Sequence, residues 1–185
     1  MARISLEPRR GMVVRLGEMY ARLRFGRVAD PVRAIGHSPG VMVGLGLLEM
    51  AAARWHRVDP KLTHLALMAS AARIGCSWCV DFGYWEAEHL GLPAEKIREV
   101  SHWRDSDAFS ELERLVLDYA EAMTETPPTV TDELVARLQR HLDDAQLVEL
   151  TTTISLENLR SRTNTALGLK SEGFSDACAV RPVLR

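Results

Sequence analysis

Cys76 and Cys79 form a Cys-x-x-Cys pair inside the stretch RIGCSWCVDFGYWEAEHLG, residues 73–91. A pair at this spacing can be a thiol/disulfide couple, half of a metal site, or two small residues packed in a helix. On a helix, positions three apart share a face, which Gly83 and Glu86 continue. At a helix N-terminus the unpaired N–H groups and the dipole favour thiolate over thiol, so such cysteines fall below the free pKa of ~8.5. Gly75, just before Cys76, fits a break between one helix and the next. A structural zinc site needs four ligands, and a catalytic one three with an open position. The third cysteine, Cys178, has no cysteine near it, and only His64 and His89 remain as further candidates. The thiol couple is the best single reading; inert packing, which suits a small apolar residue, is the plain alternative.

Other side chains could assist the thiols. His64 lies twelve residues before Cys76, on a helical face continued by Met68, Ala71 and Gly75 toward the pair. An imidazole with an unperturbed pKa near ~6.5 can accept a thiol proton, or as imidazolium stabilise a thiolate. A hydrogen-bonded histidine with no chemical role is the other reading. Glu86, one turn past Gly83, could reach back along the same face or stand as a solvated charge; Glu88 and His89 are expected to face water. Trp78, Phe82, Tyr84 and Trp85 surround the pair as either a substrate-lining pocket or core. Asn158, Arg160, Arg162 and Asn164 form a polar cluster farther on, read as an interface or structural feature, with a solvated surface and anion binding also open.

The elements that must position these residues are helices. Asp30-Pro31, Ser38-Pro39 and Asp59-Pro60 each set a capping oxygen before a proline suited to a first turn. Gly91 suits a helix end, Pro93 opens the next segment, and Thr131-Asp132-Glu133 follows the breaker TPPT at 126–129. Leu112, Leu115, Val116, Tyr119 and Met123 keep helical spacing; Leu134, Leu138 and Leu142 repeat every four residues, as do Leu150 and Ile154. The pattern predicts helices near 8–25, 31–36, 39–56, 60–74, 76–90, 93–102, 108–125, 131–141 and 143–167, in one all-α domain with short loops. The segment 41–55 is apolar around most of its circumference, which calls for burial inside the domain or between subunits.

At 185 residues, 46% hydrophobic and 26% charged, the chain is sized and composed as one soluble globular domain. A net charge of −2 makes no case for nucleic-acid binding, and the early arginines read as a solvated helix face. The start lacks the apolar stretch of a secretory signal, and the run at 40–48, broken by glycines, is too short to span a membrane. Three cysteines make no disulfide framework, which points to a reducing cytoplasm.

The stretch HLALMASAARIGCSWCVDFGYWEA (64–87), with IGHSPGVMVGLGLLE (35–49) before it and LVELTTTISLENLRSRTNTALGL (147–169) after it, resembles the carboxymuconolactone decarboxylase and alkyl hydroperoxidase D-like superfamily. The likeness covers residues 35–169, with a helix near 8–25 and a tail at 170–185 appended. It implies an all-helical subunit that forms homo-oligomers, often trimers or hexamers, whose redox members reduce hydroperoxides without a bound cofactor. Carried over by position, Cys79 attacks the peroxide and Cys76 resolves the sulfenic acid to a disulfide. The family relay adds a glutamate twelve residues before the first cysteine and a histidine four after the second. Here those positions hold His64 and Gly83, and a glycine moves no proton.

The expectation is therefore a thiol-dependent peroxidase, with Cys79 and Cys76 as the redox pair and His64 and Glu86 as candidate proton-handling groups. A dithiol protein or other thiol donor recycles the pair. The alternatives are a lyase acting on a small organic acid, or a non-catalytic oligomer with a vestigial pair.

Overall fold

The computed structural model describes residues 2–177, so Cys178 lies outside the described residues. Nine α-helices carry them: α1 (Met12–Phe25), α2 (Asp30–Ile35), α3 (Pro39–Ala52), α4 (Pro60–Ile74), α5 (Ser77–His89), α6 (Ala94–Glu99), α7 (Glu111–Thr124), α8 (Asp132–Leu138) and α9 (Asp144–Ala166). Two 3-10 segments, Val100–Asp105 and Phe174–Ala177, complete the described chain, which contains no strand. The all-α expectation holds.

Capping explains several boundaries. Asp59 accepts hydrogen bonds from the N–H groups of Lys61 and Leu62, which fixes the start of α4. Ser110 with Glu113, and Asp143 with Gln146, form reciprocal capping boxes at α7 and α9; each cap is worth about 1 kcal/mol. The other two proline signals work differently. Asp30 is already the first residue of α2, behind Ala29, and the Ser38 side chain makes no cap bond. The first helix starts at Met12 rather than residue 8, and the helix expected over 93–102 becomes α6 plus a 3-10 segment bent at His102.

At the centre, α4 packs against α5, α7 and α9. Leu65, Val116, Leu117, Leu138, Leu150 and Ile154 are wholly excluded from solvent there. Helix α3 departs from expectation. Only Met42 is buried, while Val41, Val43, Leu47, Leu48 and Met50 face outward, so burial inside the domain does not account for this apolar helix. It packs on α1, where Gly17 meets Met42 so closely that a Cβ would collide with the methionine tip.

The segment after α9 returns across α5. Asp81, fully buried, accepts bonds from the N–H groups of Glu172, Phe174 and Ser175 and from the Ser175 hydroxyl. Burial opposes its charge, but the bonds from Ser175 and Phe174 prevail and hold its pKa below the ordinary value. Phe174 then lies edge-on to Trp78 and Phe82.

Candidate active site

The last turn of α4 places the first cysteine. Gly75 takes φ +78, the left-handed conformation that glycine adopts without steric penalty, and its N–H bonds back to Ala71 and Ala72. Cys76 becomes the N-cap of α5, and its Sγ accepts the Cys79 N–H at 3.2 Å. Both cysteines are free and buried, at 1% and 8% exposure. They sit in a small cluster with Ala71, apart from the main core.

The second wall of the site is α9. Asn164 Nδ2 donates to Cys79 Sγ at 3.4 Å; Ser161 and Thr165 favour ionisation of Cys76, whereas the Glu157 charge disfavours that of Cys79. Ser161 Oγ donates to Glu157 Oε1 at 2.5 Å. Glu157, Ser161 and Asn164 follow Leu150 and Ile154 on the core-facing stripe of α9, which changes from apolar to polar halfway along the helix. Asn164 was part of the polar cluster noted in the sequence, but Glu157 and Ser161 were not singled out. That change of character within one buried stripe is the signal that identifies them.

The thiols are not equivalent. Interaction with the Cys79 thiol lowers the Cys76 pKa most; burial opposes this, while the Cys79 N–H, Ser161 and Thr165 reinforce it. Cys79 is pushed up by its interaction with Cys76, by burial and by the Glu157 charge. These directions, with the Cys79 N–H aimed at Cys76 Sγ, favour ionisation of Cys76 ahead of Cys79.

His64 is buried and its Nε2 lies 2.8 Å from the Gly83 carbonyl oxygen. A carbonyl only accepts, so Nε2 carries the hydrogen. Burial lowers the imidazole pKa against the smaller upward pull of that bond, so it is neutral near pH 7. A Cβ on Gly83 would lie 4.0 Å from this nitrogen and 3.5 Å from Met68 Cγ, so the imidazole occupies the space beside residue 83. The shifts of the two thiols come chiefly from each other and from burial, then from Glu157, Ser161 and Thr165, with His64 not among the main causes.

Glu86 is not the solvated charge the sequence allowed. It is half-buried, and burial raises its pKa to about 7, with Arg160 pulling down and Glu157 pushing up. Arg160 bonds Glu49 of α3 through two nitrogens, at 2.8 and 2.5 Å, and stands 3.5 Å from Glu157. Arg162 and Asn158 instead bond Thr124 at the end of α7 and join helices. Glu88 and His89 are exposed. Trp78, Phe82 and Trp85 cluster with Phe25 and Phe174, whereas Tyr84 belongs to the main core. No group of three or more metal-ligating side chains occurs among the described residues.

The site is thus a free dithiol at the N-terminus of α5 in an all-helical bundle, with the buried Glu157 on the facing helix. The sequence profile of the carboxymuconolactone decarboxylase family matches residues 41–122. The uncharacterised protein YnjA of Escherichia coli (strain K12) is 34% identical over 167 residues, covering 88% of this chain and 90% of YnjA. The chain belongs to the carboxymuconolactone decarboxylase family. Among solved structures, ATU0492 of Agrobacterium tumefaciens, of unknown function, has TM-score 0.71 and 25% identity over 75% of this chain and 94% of its own. The alkylhydroperoxidase AhpD core of an uncharacterised peroxidase-related protein from Ralstonia eutropha JMP134 has TM-score 0.82 and 15% identity, covering 94% of each chain, a likeness of fold.

Proposed function

We propose that this chain is a thiol-dependent peroxidase in which the Cys76/Cys79 pair reduces a small hydroperoxide and closes to a disulfide, reopened by a dithiol protein or other thiol donor. The observation that carries the reading is the pair itself: two free cysteines on one helix turn, with Cys79 donating its N–H to Cys76 Sγ. The thiolate is the nucleophile in such chemistry, and a lowered pKa favours the Cys76 thiolate. Burial of both sulfurs favours a substrate whose reactive end is as slender as an O–OH group.

The position of Cys76 at the N-cap of α5, where its Sγ accepts the Cys79 N–H, favours an order of attack opposite to the one implied by the family resemblance. Cys76 attacks and becomes the sulfenic acid; Cys79 resolves it. His64, neutral and bound to Gly83, ties α4 to α5 rather than lending charge to the thiolate. The test is trapping with a sulfenic-acid-selective reagent after one equivalent of hydroperoxide. Cys79→Ser is expected to accumulate sulfenic acid at Cys76, and Cys76→Ser little. The reverse pattern would restore the family order, and no sulfenic acid in either would end the peroxidase reading.

We further infer that copies of the chain associate through the outward apolar faces of α1 (Met12, Leu16, Leu23) and α3 (Val43, Leu47, Met50), which are spaced to form continuous helical stripes. The family resemblance supports a second copy as the occupant.

A further inference from the structure

At the two relay positions of the family, His64 and Gly83 offer the thiols no proton to donate. Gly83 has no side chain, and the only proton on neutral His64 is committed to the Gly83 carbonyl. Peroxide chemistry still requires one. An alkoxide leaving from a hydroperoxide needs a proton as the O–O bond breaks, and Cys79 must lose one as it attacks the sulfenic acid.

We propose that Glu157, brought to Cys79 by the polar half of the α9 stripe, is the general acid and base of the thiol couple. The inference rests on the peroxidase reading for its first step and on the dithiol alone for its second.

Three features of the geometry support it. Glu157 is 6% exposed, so bulk water does not do its work. Ser161 Oγ holds Oε1 at 2.5 Å, and Asn164, about one turn farther along the same buried stripe, donates to Cys79 Sγ. Its natural counter-ion is engaged elsewhere: Arg160 forms its close two-nitrogen contact with Glu49 and leaves Oε2 a long 3.5 Å approach. A carboxyl so placed retains its proton more readily than an ion-paired one, consistent with a pKa that burial raises to about 7 against the pull of Arg160.

The chemistry balances. The Cys76 thiolate attacks the hydroperoxide oxygen; an S–O bond forms, the O–O bond breaks, and the Glu157 proton passes to the departing alkoxide, giving a Cys76 sulfenic acid, an alcohol and a Glu157 carboxylate. The carboxylate then takes the Cys79 proton as that sulfur attacks Cys76, and returns it to the departing hydroxide as water. The sulfurs lose two electrons, the peroxide gains them, and one proton is consumed overall. Glu157 recovers that proton from solvent before the next turn.

Glu157→Gln keeps the acceptor for Ser161 and removes the acid. Alkylation of reduced protein by iodoacetamide at pH 7 needs only a thiolate, and the variant is expected to match or exceed wild type because a nearby negative charge is gone. Oxidation by one equivalent of cumene hydroperoxide is expected to slow about a hundredfold. With 5,5′-dithiobis(2-nitrobenzoate), release of the first thionitrobenzoate stays at the wild-type rate while the second, which requires Cys79 to deprotonate and close the disulfide, slows similarly. Glu157→Met, an apolar replacement that buried sites tolerate, carries the same expectations if the glutamine variant does not fold. Unchanged peroxide oxidation together with an unchanged second release would overturn the role, as would a fall in alkylation parallel to the fall in oxidation. If wild-type protein ignores the hydroperoxide, the peroxidase reading fails, while the second release still decides whether Glu157 serves the dithiol.

Discussion

His64 shows how the atom through which a residue is bound decides its chemistry. Spacing alone put it on the helical face leading to Cys76, where an imidazole could act as base or cation. The Gly83 carbonyl instead takes its Nε2 hydrogen, and burial keeps the ring neutral. Because its folded pKa lies below the ordinary value, the unfolded chain binds the extra proton first. Its contribution to stability is present above pH 6.5 and is lost as pH falls below it. Glu86 and Glu157, raised to about 7, act in the opposite sense, adding stability as pH falls through 7 toward the ordinary carboxyl range. The His64 contribution must therefore be read as a difference between proteins. His64→Gln is expected to melt lower than wild type at pH 8 and to close part of that gap by pH 5, with an unchanged thiol alkylation profile. Parallel melting curves over that range, or a raised thiol pKa in the variant, would contradict the assignment.

At the scale of elements, α5 is held from both sides, by α9 at the cysteines and by the segment returning over Asp81. Asp81→Asn removes a charged acceptor from a site that receives four hydrogen bonds. It is expected to destabilise the protein by about 2–3 kcal/mol. Chemical unfolding measures this, and a change below ~0.5 kcal/mol would show that the segment is held by its aromatic contacts alone. In wild type the same bonds weaken when acid protonates the carboxylate, below the ordinary aspartate range, because its folded pKa is depressed. Much of this level was legible in the sequence. Asp59 and the glycine at 75 mark the ends of α4, and the leucine periods of α7 to α9 mark the core face. Two things were not. Proline after a capping-type residue does not say which residue is the cap, as Asp30 and Ser38 show. Residues that converge from distant segments, such as Glu157 on Cys79 or Asp81 on Ser175, leave no local spacing to read. The replacement of leucine and isoleucine by Glu157, Ser161 and Asn164 along one stripe was the available trace.

The whole molecule presents a contrast between a dry centre on α4 and an arm of α1 and α3 whose apolar residues face outward. Leu23 is 81% exposed and Leu47 63%. Obligate interfaces bury roughly 2,000 Å² or more, and continuous stripes on two helices supply a core for one. Light scattering at micromolar concentration is expected to give an oligomer, and Leu47→Lys to shift it toward monomer while the helical circular dichroism signal is kept. A wild-type monomer would contradict this.

The central claim is that Cys76 and Cys79 act together as a two-electron couple. Reduced protein titrated with a hydroperoxide should lose two thiols and yield one alcohol per hydroperoxide consumed, and peptide mass mapping should find the disulfide between Cys76 and Cys79. Retention of both thiols after the hydroperoxide has been added, or oxidation of one cysteine past sulfenic acid with the other still free, would contradict it.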